Sequence, residues 1–73
     1  MNRYKFLDIF QENSDGSLSP KRVISINGIT FSPGVSFSQG VSFGGIDFHR
    51  FKYFDIAAED QNGVLVIKGF YKQ

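Results

Sequence analysis

The sequence has 73 residues, with 8 Lys or Arg against 7 Asp or Glu, one His, and neither Cys nor Trp. This length predicts one small domain over residues 1–73, and the missing thiols exclude disulfides and Cys-ligated zinc. The net charge of +1 argues against a strongly electrostatic partner, and no window reaches the roughly 18 apolar residues of a membrane span. We therefore expect a soluble cytoplasmic protein without membrane contact.

Aromatic residues are unusually abundant, at 16% of the chain, with nine Phe and three Tyr. A domain of this size buries only about 60–65% of its unfolded surface, so each buried side chain has to be large. The aromatic rings therefore fill the core of one monomer, or some of them are shared with a second copy of the chain.

The first 22 residues divide into an apolar segment and a polar one. Apolar residues mostly alternate over residues 4–10, which predicts a strand. A short helix is the alternative, because Phe6, Ile9 and Phe10 also have helical spacing. Residues 11–22 are polar and contain Gly and Pro, so they predict an exposed loop.

A two-residue hairpin is the clearest local pattern in the chain. Residues 23–26 and 29–32 are apolar segments separated by Asn27-Gly28. Asn-Gly is favoured in a type I′ turn because both central residues need a positive φ. The sequence therefore predicts two antiparallel strands joined at Asn27-Gly28.

A short repeat follows, in the units ITFSPG, VSFSQG and VSFGG. Its apolar residues share one parity, and its hydroxyl residues share the other. The apolar set is Ile29, Phe31, Val35, Phe37, Val41 and Phe43, and the hydroxyl set is Thr30, Ser32, Ser36, Ser38 and Ser42. A straight strand of this length would span about 50 Å, whereas the domain has a diameter of roughly 30 Å. The run therefore has to bend, and we predict bends at Pro33-Gly34 and Gln39-Gly40. A solvated face is expected for the hydroxyl set, with an ice- or sugar-binding array as the alternative.

The last third of the chain predicts a corner and a second hairpin. The apolar parity reverses at Gly44-Gly45, which indicates a β-bulge or a tight corner. Residues 51–58 and 64–67 then flank a polar turn at residues 59–63. Residues 64–67 are apolar on both parities, as in a central strand covered on both faces.

These patterns predict an all-β fold, a small curved sheet or barrel-like fold of about five short strands. Bends at glycines shape it, and dimerisation is one way to complete its core. The six-residue repeat resembles the hexapeptide coils of left-handed β-helix acyltransferases. Three units supply only one coil, and a Phe in every unit is bulkier than the usual interior of that solenoid. The small sheet or barrel is therefore the favoured prediction.

Residues for catalysis or metal binding are sparse. His49 is the only histidine and lies two residues from Asp47, but no nucleophile motif accompanies the pair. We interpret it as a surface pair on a strand. Asp55, Glu59 and Asp60 do not match an EF-hand loop, and the glycines do not form a phosphate-binding motif. We predict no catalytic activity, no metal and no small-molecule cofactor.

Residues 49–53 interleave basic and aromatic side chains, which is typical of surfaces that bind single-stranded nucleic acid. In that hypothesis Tyr53 or Phe51 stacks on bases, and four cations contact phosphates. The four are Arg50, Lys52, Lys68 and Lys72. Strand alternation places the cations and rings of residues 49–53 on opposite faces, which weakens the hypothesis. Cold-shock and OB-type modules are similar in size, but their motifs are absent here apart from a four-residue partial match at residues 68–71.

The favoured functional prediction is a non-catalytic binding protein of the regulator or inhibitor type. Small β folds often present a sheet edge or an aromatic patch to another protein, or to a copy of themselves. We predict that the contact surface lies on the second hairpin. Phe51, Tyr53 and Tyr71 are its expected anchors, with Arg50 and Lys52 as neighbouring charges, because Tyr and Arg are frequent interface hot spots. Single-stranded nucleic acid is the alternative partner.

Overall fold

Seven short strands, one turn of α-helix and one 3-10 helix form the regular structure of residues 1–72, the part of the chain described by the computed structural model. In chain order they are β1 (Asn2–Tyr4), α1 (Phe6–Ile9), β2 (Phe10–Glu12), β3 (Leu18–Pro20), β4 (Ile24–Ile26), β5 (Ile29–Phe31), the 3-10 helix (Phe48–Phe51), β6 (Ile56–Gln61) and β7 (Val64–Phe70). The all-β prediction is confirmed. The strands form one sheet of five and one of two, and the larger sheet does not close into a barrel.

The larger sheet has the strand order β1-β6-β7-β4-β5. Its pairs are antiparallel except for β4 and β7, which run parallel, with Ile24 opposite Leu65. β7 is therefore the central strand, as its apolar sequence predicts. Leu65 and Ile67 are buried on the core side, whereas Val64 and Val66 are only half-buried on the other side. The expectation of full cover on both faces is therefore wrong.

Both hairpins of the larger sheet turn at Asn-Gly. Asn27 and Gly28 have φ values of 51° and 78°, and Asn62 and Gly63 have 53° and 85°, so each pair adopts the positive φ that a type I′ turn requires. The first hairpin is confirmed. The second is also confirmed, but its turn is only two residues long. Residues 59–61, predicted as part of that turn, continue β6, because Gln61 still pairs with Val64.

The strand predicted over residues 4–10 is wrong at its centre, where the chain forms α1. The helical alternative holds there, because Phe6 and Ile9 both point into the core. The exposed loop predicted at residues 11–22 is confirmed only as a turn at residues 13–17, and it is wrong on both sides of that turn. β2 and β3 pair as the two-stranded sheet, and Leu18 and Pro20 are buried.

Residues 32–47, called the repeat segment below, contain no helix or strand longer than an isolated bridge. Its predicted bends at both glycine positions are confirmed as turns, and so is the tight corner at Gly44-Gly45. The prediction of one shared apolar face is wrong, because Val41 is exposed while Phe37 is fully buried. The hydroxyl set is exposed as expected, but it is spread over β5 and the turns and forms no flat array.

The core lies between the larger sheet and the elements that cover one of its faces. The sheet contributes mainly aliphatic side chains, among them Ile24, Ile56 and Leu65, all fully buried. The covering elements contribute rings, and Phe37 packs with centroid distances of 4.7 Å to Phe48 and 4.7 Å to Phe43. The candidate site lies at the end of the β6–β7 hairpin where Ile56 pairs with Phe70.

Candidate interaction surface

The β6–β7 hairpin brings Tyr53 and Tyr71 to the same end of the molecule. Its antiparallel register pairs Ile56 with Phe70, so the residues just before β6 lie beside those just after β7. The Tyr71 backbone N–H donates a hydrogen bond of 2.8 Å to the Asp55 carbonyl. Tyr53 is 51% exposed and Tyr71 36% exposed, so part of each side chain faces solvent.

A shallow groove of about 200 Å³ lies between Tyr53 and α1. The ring of Phe6, almost fully buried, forms its floor, and Leu7 and Tyr53 form its apolar walls. Lys5 and Asp55 supply its charged rim. Leu7 is 45% exposed, although its neighbours Phe6 and Ile9 are buried, because the single turn of α1 directs it away from the core. We call Arg3, Lys5, Leu7, Tyr53, Asp55 and Tyr71 the Tyr53–Tyr71 surface.

Arg3 joins the two halves of this surface. Its Nε donates a hydrogen bond of 2.8 Å to Asp55 Oδ2, and its guanidinium carbon lies 4.1 Å from the centre of the Tyr71 ring. Arg3 is held on β1, the edge strand that pairs with β6 next to this end of the hairpin. The cation–π contact and the ion pair restrict the Tyr71 ring without burying it. A ring fixed before binding loses less conformational entropy when a partner covers it.

Tyr53 is fixed by a different set of contacts. Its φ is 69°, an unusual value for a bulky residue, and its ring packs edge-on against Phe6 at a centroid distance of 6.1 Å. The Tyr53 hydroxyl donates a 2.6 Å hydrogen bond to Glu12 Oε1, and Lys52 Nζ lies 2.7 Å from Glu12 Oε2. Lys52 and then Tyr53 lower the pKa of Glu12 by hydrogen bonding to its charged form. Glu12 in turn raises the pKa of Tyr53, so this hydroxyl stays neutral at physiological pH.

The remaining predicted site residues lie on or beside the 3-10 helix. The prediction that residues 49–53 alternate along a strand is wrong, because Phe48–Phe51 are helical. Phe51 is half-buried and stacks on Phe70, with centroids 4.5 Å apart and planes 10° apart. Arg50 is exposed and has no ion pair within residues 1–72. Phe51 therefore supports the base of the hairpin, and Arg50 lies outside the groove.

The cations named for nucleic-acid binding do not form an uncompensated patch. Lys52 pairs with Glu12, and Lys68 Nζ lies 3.9 Å from Glu59 Oε2. Arg50 and Lys72 have no ion pair within the described residues. Phosphate binding relies on several uncompensated cations along one track. Two of the four predicted cations, Lys52 and Lys68, are therefore less suited to it.

His49 and Asp47 were predicted to form a surface pair on a strand, but each makes a separate structural contact at the 3-10 helix. Asp47 Oδ1 accepts a hydrogen bond of 3.1 Å from the His49 backbone N–H and so caps the 3-10 helix. His49 Nε2 lies 2.9 Å from the Phe37 carbonyl oxygen. The imidazole therefore ties the 3-10 helix to the repeat segment, and the carboxylate does not contact the ring.

Arg3, Lys5, Leu7 and Asp55 were not among the residues predicted from sequence as a binding site. The helical spacing of Phe6, Ile9 and Phe10 contains the signal for Leu7, since a helix that buries those three residues turns Leu7 outward. Arg3 and Asp55 are 52 positions apart, and only the pairing of β1 with β6 brings them together.

No protein family matches the chain, and no curated protein or solved structure matches it either. Within residues 1–72, no group of three or more His, Asp or Glu side chains is placed to hold a metal ion. The same residues include no helix long and apolar enough to cross a membrane.

Proposed function

We propose that the chain is a non-catalytic binding module that recognises another protein through the Tyr53–Tyr71 surface. The observation that carries the proposal is the placement of three exposed apolar side chains, Leu7, Tyr53 and Tyr71, around one end of the β6–β7 hairpin beside a groove. Tyr side chains offer a large, amphipathic contact area, and they are enriched at protein interfaces.

The backbone at Tyr53 supports this proposal independently of its exposure. A bulky residue with positive φ costs free energy that Gly or Asn would largely avoid. The ring nevertheless remains half-exposed, so burial in the core does not offset that cost fully. Strained positions often occur where a side chain is held for binding, and Tyr53 is held by both Phe6 and Glu12.

A random peptide library displayed on phage tests the proposal directly. Selection on the folded protein is expected to enrich peptides that bind the Tyr53–Tyr71 surface. For a selected peptide, Tyr53→Ala and Tyr71→Ala should each weaken binding by about 1–3 kcal/mol, which is roughly 5- to 150-fold in Kd. Ile29→Ala, which shortens an exposed apolar side chain on β5, is the matched control and should leave Kd unchanged.

Thermal unfolding of each variant accompanies the binding assay. Both Tyr variants should unfold cooperatively, with midpoint temperatures close to that of the parent protein, because neither ring is fully buried. If both variants fail to fold, the rings are core residues and the proposed surface is wrong.

Two further results would replace the proposal. Oligonucleotide binding that collapses between about 50 and 200 mM salt, with no peptide enriched, would establish the nucleic-acid alternative. Self-association that Tyr53→Ala abolishes in analytical ultracentrifugation would show that the surface binds a second copy of the chain.

A further inference from the structure

The groove of the Tyr53–Tyr71 surface carries an uncompensated positive charge. Of its two charged lining residues, Asp55 is paired with Arg3 at 2.8 Å. Lys5 has no hydrogen bond or ion pair from its ammonium group within residues 1–72. The nearby Lys52 is neutralised by Glu12. A partner that seats an apolar side chain in the groove therefore meets one unpaired cation at the rim.

Arg3 offers a second set of donors at the same end of the hairpin. Only its Nε is engaged by Asp55, and its side chain is 59% exposed although its guanidinium covers the Tyr71 ring. A guanidinium has five N–H donors in a planar fork, so the terminal nitrogens remain able to bind a carboxylate. The surface therefore has two cations, Lys5 and Arg3, against one carboxylate, Asp55, whose Oδ2 is already bonded to Arg3, and this balance favours an anionic partner.

The area of the surface favours a short segment over a second copy of the chain. A standard interface covers about 800 Å² on each partner. Leu7, Tyr53 and Tyr71 together expose on the order of 250 Å², since a whole aromatic side chain accounts for roughly 200 Å². A few residues of extended peptide can cover that area, whereas the apolar part of a standard interface, a little over half of about 800 Å², is nearly twice as large.

We infer that the occupant of the groove is a short acidic segment of another protein, with an apolar side chain next to Asp or Glu. The apolar side chain lies over Phe6 between Leu7 and Tyr53, and the neighbouring carboxylate pairs with Lys5. This inference rests on the proposed function and adds the chemistry of the partner to it.

Three capped hexapeptides test the inference. Each is titrated into isotope-labelled protein, and binding is measured from the changes in NMR chemical shifts. The first has a Leu-Phe centre with two acidic residues on each side, the second replaces the acidic residues with Lys, and the third replaces the centre with Ala-Ala. We expect the first to bind at least tenfold more tightly than either of the others. Its shift changes should concentrate at Lys5, Leu7 and Tyr53.

Charge variants separate a contact at Lys5 from a general effect of net charge. Lys5→Gln and Gln39→Glu each lower the net charge by one, but Gln39 lies in an exposed turn of the repeat segment. Lys5→Gln should raise the Kd of the acidic peptide about five- to tenfold, and Gln39→Glu should change that Kd less than twofold. Lys5→Glu should remove the preference for the acidic peptide over the Lys peptide.

The outcomes distinguish this inference from the proposed function. Equal binding of the acidic and Lys peptides, or equal effects of Lys5→Gln and Gln39→Glu, would overturn the inference. If phage-selected peptides still depended on Tyr53 and Tyr71 in that case, the proposed function would stand. If neither the hexapeptides nor any selected peptide bound, both would be wrong.

Discussion

The β6–β7 hairpin and the repeat segment both contain apolar residues that predict strands, yet only the hairpin forms paired strands. In the hairpin, β7 is hydrogen-bonded to β6 on one side and to β4 on the other. In the repeat segment, Phe37 bridges Leu18, and Phe43 bridges Ile46 across the Gly44-Gly45 turn. Both regions nevertheless contribute fully buried side chains to one core.

The difference shows that alternation alone does not specify a strand, since Val41 is exposed while Phe37 is buried, and that a neighbouring strand decides whether the backbone is regular. Glycine turns interrupt the repeat segment every five or six residues, so no stretch is long enough to pair over several positions. Ring packing takes over the role that a ladder of backbone hydrogen bonds has in the sheet. Phe31, Phe37 and Phe43, one from each repeat unit, form a cluster with centroids 4.7–6.2 Å apart.

Truncating one buried side chain in each region gives the largest expected effects. Phe37→Ala should cost about 3–5 kcal/mol of unfolding free energy, and Leu65→Ala about 2–5 kcal/mol, because both side chains are fully buried. Urea unfolding followed by circular dichroism measures both. The whole domain is stable by roughly 4–11 kcal/mol, so Phe37→Leu provides a milder variant that stays folded.

Val41→Ala, in the same segment as Phe37, is the control for these truncations. Val41 is exposed, so this substitution should cost less than about 0.5 kcal/mol. If Phe37→Leu cost as little as Val41→Ala, the repeat segment would be a peripheral loop and its ring cluster would not belong to the core.

A methyl group added at the corner of the repeat segment should have the next largest effect. Gly44 and Gly45 both have positive φ, at 59° and 79°, so Ala at either position costs about 1–2 kcal/mol. A Cβ at Gly44 would also lie 2.9 Å from Ile26 Cγ2 and 3.3 Å from the Ile26 carbonyl, whereas at Gly45 the nearest atom is 3.7 Å away. Gly44→Ala should therefore be the more destabilising, by about 2–4 kcal/mol in urea unfolding. Equal losses for the two variants would show that the repeat segment does not press against β4.

The turns and the sheet class are readable in the sequence because their causes are local. Asn-Gly supplies positive φ at both hairpin turns, and the uninterrupted apolar run of residues 64–67 is typical of a central strand. The α1 turn and the β2–β3 hairpin are not readable in the same way. Their residues fit two periods or look polar, and burial of Phe6 and Leu18 in the assembled core decides between the possibilities.

The candidate site divides along the same line. Tyr53 and Tyr71 are predictable because exposed aromatic residues flank a predicted hairpin. Arg3, Lys5 and Leu7 come from the N-terminal segment, and they join the site only because β1 pairs with β6. Lys52 and Phe51 are residue types that suit binding, but Lys52 pairs with Glu12 and Phe51 stacks on Phe70. Neither contact could be predicted from the local sequence.

The smallest expected difference is between variants of the two Asn-Gly turns, which have the same backbone conformation but different tertiary contacts. Asn27 Nδ2 donates a hydrogen bond of 2.6 Å to the Gly44 carbonyl, and so ties the first hairpin to the repeat segment. The Asn62 side chain makes no hydrogen bond within residues 1–72. Asn27→Gly and Asn62→Gly both keep a residue that tolerates positive φ, so the backbone costs cancel between them. Asn27→Gly should lose about 1 kcal/mol more than Asn62→Gly in urea unfolding, the contribution of one hydrogen bond. Equal losses would mean that the Asn27 side chain does not help to hold the repeat segment in place, whereas the expected difference assigns part of that task to a turn residue.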